Sequence, residues 1–510
     1  MESRGTMHRR DFLTPFFNYL YIENKSKPNQ ASNDTSPSLL HSISSSQSAM
    51  DSQTLASDLS KGRPVGGTEF SWCQAVPGGT GITVLAILLS RPVSLPALQS
   101  ALQSLQTFHP ILSAVLAAAD TPSPHLSIPS PPPPLLLHRL PAANLLAAVP
   151  SAFHLHSLLE HELNQNPWSE PANETTVFFA TLYELPEPGR SVLSLRFHTA
   201  VCDRTAAVAL LKELLDRMGG DSGNSGKGQA EGVMLGIEDL IPKRDAWKPF
   251  WARGKDLVGY SVNGLRASNL RFDDAGSDRA SRVVRLVMSV EETRGLLMAC
   301  KAREVKLCAA MSAAALVAAH SSQHFQTNQQ KPYLVGTLID SRKYLEPVLH
   351  DNNIGFYHSG IINMHGVHGE EDLWELANRC QSAYSDAMKN KKHLTDIGEL
   401  NFLMCKAIEN PHLTPASSLR TALITVFDEP VISESSKQEQ YLGVEDYVGC
   451  SSVHGVGPSI AFFDTIRDGQ LDCACVFPSP LHSRKQIQEL VEHMKRILIE
   501  GGHLKEGELK

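Results

Sequence analysis

What the sequence lacks narrows what it can be. It has no excess of positive charge. With 46 Lys and Arg against 54 Asp and Glu, the formal net charge is −8. Nothing is available to displace counterions from a phosphate backbone, so no nucleic-acid partner is expected. No apolar run approaches the ~18 residues of a membrane span. The longest, Ile82 to Leu89, stops at Ser90-Arg91-Pro92 and reads as a strand. The nine cysteines are odd in number and form no paired CxxC at zinc-module spacing. A reducing, cytoplasmic compartment fits them best. Cys473 and Cys475 alternate along a strand and read as two small residues on one face. The G-x-S-x-G elbow, the P-loop and HExxH are all missing. Gly79-Thr80-Gly81 precedes a strand instead of following one, which excludes a dinucleotide fingerprint. His154, His156 and His161 share a helix and read as an exposed polar face, not as metal ligands.

The 510 residues, 42% hydrophobic and 20% charged, belong to a folded chain too long for one core. Residues 1–60 are a Ser-rich extension expected to be disordered. Within them, Arg9-Arg10 and the stretch from Phe12 to Ile22 imitate a targeting peptide. Pro15 and Asn18 interrupt it and no cleavage site follows, while Met50 is an alternative start. A first lobe is expected over 61–218, a linker and crossover over 219–280 beginning GGDSGNSGKGQAEG, and a second lobe over 281–510. Ser94 caps a helix with Pro96 in its first turn and Leu98, Leu102 and Leu105 on one face. Strands at about Val177–Leu185 and Ser191–His198 flank a turn at Pro186 to Gly189. Near the end, Asp468-Gly469 joins two strands as a type I′ hairpin, and Ser483 caps a last helix.

The informative segment is Leu195-Arg196-Phe197-His198-Thr199-Ala200-Val201-Cys202-Asp203-Arg204, a strand running into a turn and a helix. It resembles the HHxxxDG signature of the BAHD acyltransferases, the alcohol acetyltransferases and the condensation domains of peptide synthetases. Further segments are similar in the expected order. Asp340 to Pro347 followed by Asn353-Ile354-Gly355-Phe356 matches a stretch with a family arginine, here Arg342. Val453-His454-Gly455-Val456-Gly457-Pro458 stands where those enzymes carry DFGWG, with only the glycines kept. The resemblance covers about residues 65–500.

The resemblance implies an α/β fold of two chloramphenicol-acetyltransferase-like lobes, mostly antiparallel sheets backed by helices, with a channel between them. It implies a structural pair between Asp203 and Arg342 across the lobes, and it sets Arg204 where an open-turn glycine belongs. Most consequentially, it sets Thr199 at the position of the general-base histidine, and a hydroxyl does not take a proton near neutral pH. Strand alternation turns His198 to the opposite face, although a bend at the strand end would make it a substitute base. His358 and His454 are the other histidines in segments bordering the channel. Two functions follow. One is acyl transfer from an acyl-CoA or carrier thioester, as co-substrate with no tightly bound cofactor, to a small amine or hydroxyl acceptor. The other is a non-catalytic binding or regulatory module on the same fold. A monomer without metal is expected.

Overall fold

The computed structural model describes residues 62–117, 123–170, 174–219, 235–323, 329–369, 371–411 and 418–503. The 1–60 extension and nearly all of the linker expected at 219–232 lie outside the described residues. Twelve strands build two main sheets: β1 (Thr80–Leu89), β2 (Leu137–Pro141), β3 (Phe178–Glu184), β4 (Ser191–His198), β5 (Ala280–Val287), β6 (Lys331–Asp340), β7 (His358–Val367), β8 (Arg420–Phe427), β9 (Val431–Ser433), β10 (Val444–Val453), β11 (Gly457–Arg467) and β12 (Gln470–Ser479). The first sheet has the order β10-β1-β4-β3-β2, and the second β7-β6-β8-β11-β12-β5 with β9 beside β11. The first sheet is antiparallel except where β2 joins β3. In the second, β8 runs parallel to both β6 and β11, so that sheet is more mixed than expected.

Local chemistry fixes most of these elements. β1 carries no charged residue and is buried on both faces, as a central strand must be. The β11–β12 hairpin turns at Asp468 and Gly469, with φ of 50° and 80°, the two positive values a type I′ turn requires. Among the described residues, the helices of eight residues or more are α1 (Gly67–Ala75), α2 (Leu95–Phe108), α3 (His154–Leu163), α4 (Arg204–Met218), α5 (Phe250–Arg266), α6 (Val290–Ala302), α7 (Leu307–Ser321), α8 (Leu373–Lys389), α9 (Ile397–Glu409) and α10 (Arg484–Gly502). The Ser94 hydroxyl accepts from the Ala97 amide to cap α2. Ser483 caps α10, which buries Ile487, Leu490, Val491, Met494 and Leu498. The alanine-rich α7 is buried on every side, because its methyl-sized side chains let neighbouring helices approach closely.

Helices α2 and α4 cover the outer face of the first sheet, while α6, α7, α8 and α10 cover the second. A third apolar cluster, with Val84 of β1, Val448 of β10, Val283 of β5 and Phe463 of β11, fuses the lobes. Strand β10 lies late in the chain yet completes the first sheet by pairing with β1. The 17-residue α5 falls where only a crossover was expected. It buries Leu257 alone, and Gly254, Gly259 and Gly264 within it weaken its helical signal in the sequence. No helix among the described residues is long and apolar enough to cross a membrane.

Candidate active site

Strand β4 ends at His198, a single 3-10 turn spans Thr199–Val201, and Asp203 caps α4 by accepting from the Ala206 amide at 2.8 Å. Three more donors converge on that carboxylate from the second lobe. Arg342, in the turn after β6, binds it in bidentate fashion, Nη1 to Oδ2 at 2.9 Å and Nη2 to Oδ1 at 3.1 Å. The Tyr357 amide donates to Oδ2 at 2.9 Å. Nδ1 of His358 comes within 3.1 Å of Oδ2, too far off axis for a good hydrogen bond. Both partners of the ion pair are almost fully buried. Burial opposes charging them, but each other's charge wins, holding the Asp203 carboxyl far below its usual range and the Arg342 guanidinium above its own.

A cavity of about 550 Å³ runs between the lobes from this point. On one wall, Thr199 Oγ1 donates to the Gly81 carbonyl at 2.6 Å and also meets Thr83 Oγ1 at 2.6 Å. Thr83 in turn meets Ser451 Oγ at 2.8 Å. A hydroxyl has one proton, so the chain has one direction: Ser451 donates to Thr83, Thr83 to Thr199, and Thr199 to the carbonyl. Register explains the contact, since Thr83 and Ser451 are cross-strand neighbours on β1 and β10. The rest of the wall is mainly apolar, with Trp72, Phe356, Phe427, Phe463, Leu403 and Met404. His358, first residue of β7, is the one imidazole lining it among the described residues. Its ring sits edge-on to Phe427 at 5.6 Å. With Nδ1 beside Asp203, Nε2 is the nitrogen available to the cavity.

No protein-family model matches the chain, and no curated protein is similar to it in sequence. Solved structures are similar. TRI3 trichothecene 15-O-acetyltransferase from Fusarium sporotrichioides superposes with a TM-score of 0.64 at 13% identity, over 87% of this chain and 95% of the other. Polyketide synthase associated protein 5 from Mycobacterium tuberculosis gives 0.60 at 16% identity, over 86% and 98%. The first condensation domain of the calcium-dependent antibiotic synthetase gives 0.57 at 14% identity, over 87% and 97%. The fold is the one these acetyltransferase, polyketide-synthase-associated and condensation-domain structures share.

Within this fold, the sequence candidates separate. Thr199 and His358 both line the cavity. His198 does not. Its ring packs edge-on against Trp168 at 5.1 Å with 1% exposure. Its Nδ1 accepts from the Ala200 amide, and burial drives its pKa down to about 3. The strand does not bend enough to bring it round, so His198 is withdrawn as a base. His454 is withdrawn as well. It is absent from the cavity wall and bound through Nδ1 to Ser281 Oγ at 2.9 Å. Burial and the nearby Arg420 lower its pKa to about 4. His154 is buried and contacts the Val149 carbonyl, contrary to the exposed face expected for it. Among the described residues, no group of His, Cys, Asp or Glu is arranged to hold a metal.

Three features carried no signal in the sequence. Arg204 pairs with Asp464 of β11, Nη1 to Oδ1 at 3.1 Å, and lies over the Phe427 ring at 4.2 Å. Arg204, Phe427 and His358 also line a second, more polar pocket of about 910 Å³ beside Asp340 and Lys343. These three side chains therefore form a septum between the inner cavity and an outer one. The buried Arg420 holds the 453–458 turn by donating to the carbonyls of Val453, Gly455 and Pro458. The Arg204–Asp464 pairing, across 260 residues, leaves no trace in local periodicity.

Proposed function

We propose that the protein transfers an acyl group from a CoA or carrier thioester to an amine or hydroxyl, with His358 as the general base. The observation that supports this is the position of His358, facing the cavity with Nδ1 beside the buried Asp203. In the proposed step, the acceptor N–H or O–H attacks the thioester carbonyl while His358 Nε2 takes its proton. The tetrahedral intermediate collapses by breaking the C–S bond. The thiolate leaves and receives the proton from the imidazolium, giving an ester or amide and a free thiol. Asp203 orients the ring, but Arg342 neutralises much of its charge. Its contribution is therefore more positional than electrostatic. Thr199, with its proton committed to Gly81, offers the acceptor a hydrogen-bonding oxygen and no base.

A second reading, a binding or regulatory module, is favoured by one observation: the Arg204 septum stands between the two cavities a donor and an acceptor would occupy. The two readings separate on release of free thiol from a panel of acyl-CoAs, with and without amine and alcohol acceptors. General-base catalysis predicts a loss of ~10²–10⁴-fold in acceptor-dependent release for His358→Gln. Thr199→His should raise transfer to alcohols, and His198→Gln should leave transfer unchanged. Release that is equal in His358→Gln and the unmodified protein would remove the base, and no release above buffer would favour the binding module.

A further inference from the structure

The exposed face of α5 is the least explained surface of the molecule. Trp251, Val258, Val262 and Leu265 recur at spacings of seven, four and three residues, which is one helical face. With Trp247 just ahead of the helix and Phe250 its first residue, all six are between 44% and 74% exposed. Such a stripe of large apolar groups is unusual on a soluble surface and marks a contact site. Two further observations say what it contacts.

The first is charge. Residues 243–266 carry six basic and two acidic side chains in a chain whose net charge is −8. Lys243, Arg244, Lys255 and Arg266 are exposed. The two carboxylates are already occupied, Asp256 by Lys248 at 2.8 Å and Asp245 by Lys391. The second is continuity. Tyr260, Ser261 and Gly264 of the same helix line the apolar cavity, and Leu265 belongs both to the stripe and to the cavity wall. The stripe therefore runs into the cavity mouth. Tryptophan and phenylalanine beside a rim of lysine and arginine are the make-up of a helix lying in a bilayer interface.

We propose that α5 docks the protein on an anionic lipid bilayer, with the inner cavity opening toward the lipid so that a lipophilic molecule enters past Leu265. The docking does not depend on His358 chemistry, and vesicle binding is read without turnover, so either idea can fail alone. The test is co-sedimentation of the full chain with phosphatidylcholine vesicles, with and without phosphatidylglycerol. Binding is expected to be tighter on the anionic vesicles and to weaken as salt rises. The Trp251→Glu/Val258→Glu double variant should lose more than about tenfold in affinity, since each apolar group is worth that on burial. Lys255→Gln should lose about fivefold on anionic vesicles only. Trp251→Ser alone replaces the double variant should that one fail to melt cooperatively. Protein left in the supernatant with both vesicle types would overturn the proposal, as would undiminished binding by these variants. So would a concentration-dependent dimer that the double variant dissolves, because a second copy would then be the partner of the stripe.

Discussion

Arg342→Met tests the interlobe pair most directly. The substitution keeps the stem of the side chain and removes the guanidinium, leaving Asp203 fully buried with two backbone amides and the His358 ring as company. Breaking a buried pair in this way costs about 3–5 kcal/mol. For a cooperative unit of ~200 residues, that corresponds to a fall in Tm of roughly 7–12 °C at neutral pH. The pH dependence has a definite sign. In the unmodified protein the Asp203 pKa is held below its unfolded value. Its stabilisation is therefore present above the ordinary carboxylate pKa of about 4 and lost only as pH falls through the lower folded value. In the variant, burial acts alone and raises the folded pKa, so the carboxylate destabilises most at neutral pH. The deficit in Tm should shrink as pH is lowered from 7 toward 5. Urea unfolding followed by tryptophan fluorescence, run on Arg342→Met, Asp203→Asn and the double variant, measures the pair as a cycle. A deficit below about 1 kcal/mol, or one independent of pH, would refute the reasoning, because either result requires a hydrated carboxylate.

Other outcomes follow from the same geometry. Thr199→Ala leaves the Gly81 carbonyl without its donor and the Thr83 hydroxyl without its acceptor, so it should cost about 1–3 kcal/mol in urea unfolding. Arg204→Gly strands Asp464, whose carboxyl burial already pushes up; it should be poorly stable alone, while Arg204→Gly/Asp464→Asn should fold and join the two cavities, read as entry of a bulkier acyl-CoA. Gly79→Ala should destabilise by about 1–3 kcal/mol, since φ is +93° there and the new methyl would meet the His454 ring at 1.9 Å. Burial lowers the pKa of His198 to about 3 and of His454 and His482 to about 4. Their neutral forms stabilise the fold above the unfolded value near 6.5, and that stability drains by up to about 1.4 kcal/mol per pH unit for each ring between pH 6.5 and 4. A flat unfolding midpoint from pH 7 to 5 would contradict this.

The elements legible in the sequence were those with short-range causes. A serine cap and a leucine stripe announced α2, and Asp-Gly announced the β11–β12 hairpin. The Asp203 and Arg342 segments could be read because each carries several chemically distinctive residues in a row. The hydroxyl chain from Ser451 to Thr199 was invisible, because it depends on the register of β10 against β1. Asp464 was equally hidden. In Phe462-Phe463-Asp464-Thr465 it reads as an ordinary strand carboxylate, and only the approach of α4 makes it the partner of Arg204. His454 was misplaced for a related reason: Gly79, which supplies the room for its ring, lies far away in the chain. α5 escaped notice because Gly254, Gly259 and Gly264 interrupt its pattern.

Strand β10 has a consequence for how the chain is made. The first sheet needs β10 against β1, yet the two are separated by more than 350 residues of sequence. During synthesis β1, ten residues with no charge among them, must wait with one backbone edge unpaired while nearly the whole second lobe emerges. At ~5–20 residues per second the wait is tens of seconds. An apolar strand edge exposed that long invites pairing with other chains. A fragment ending before Val444 should therefore aggregate instead of folding as a free first lobe. Yield in a heterologous host should respond more to chaperone supply than to codon choice in the first half of the message.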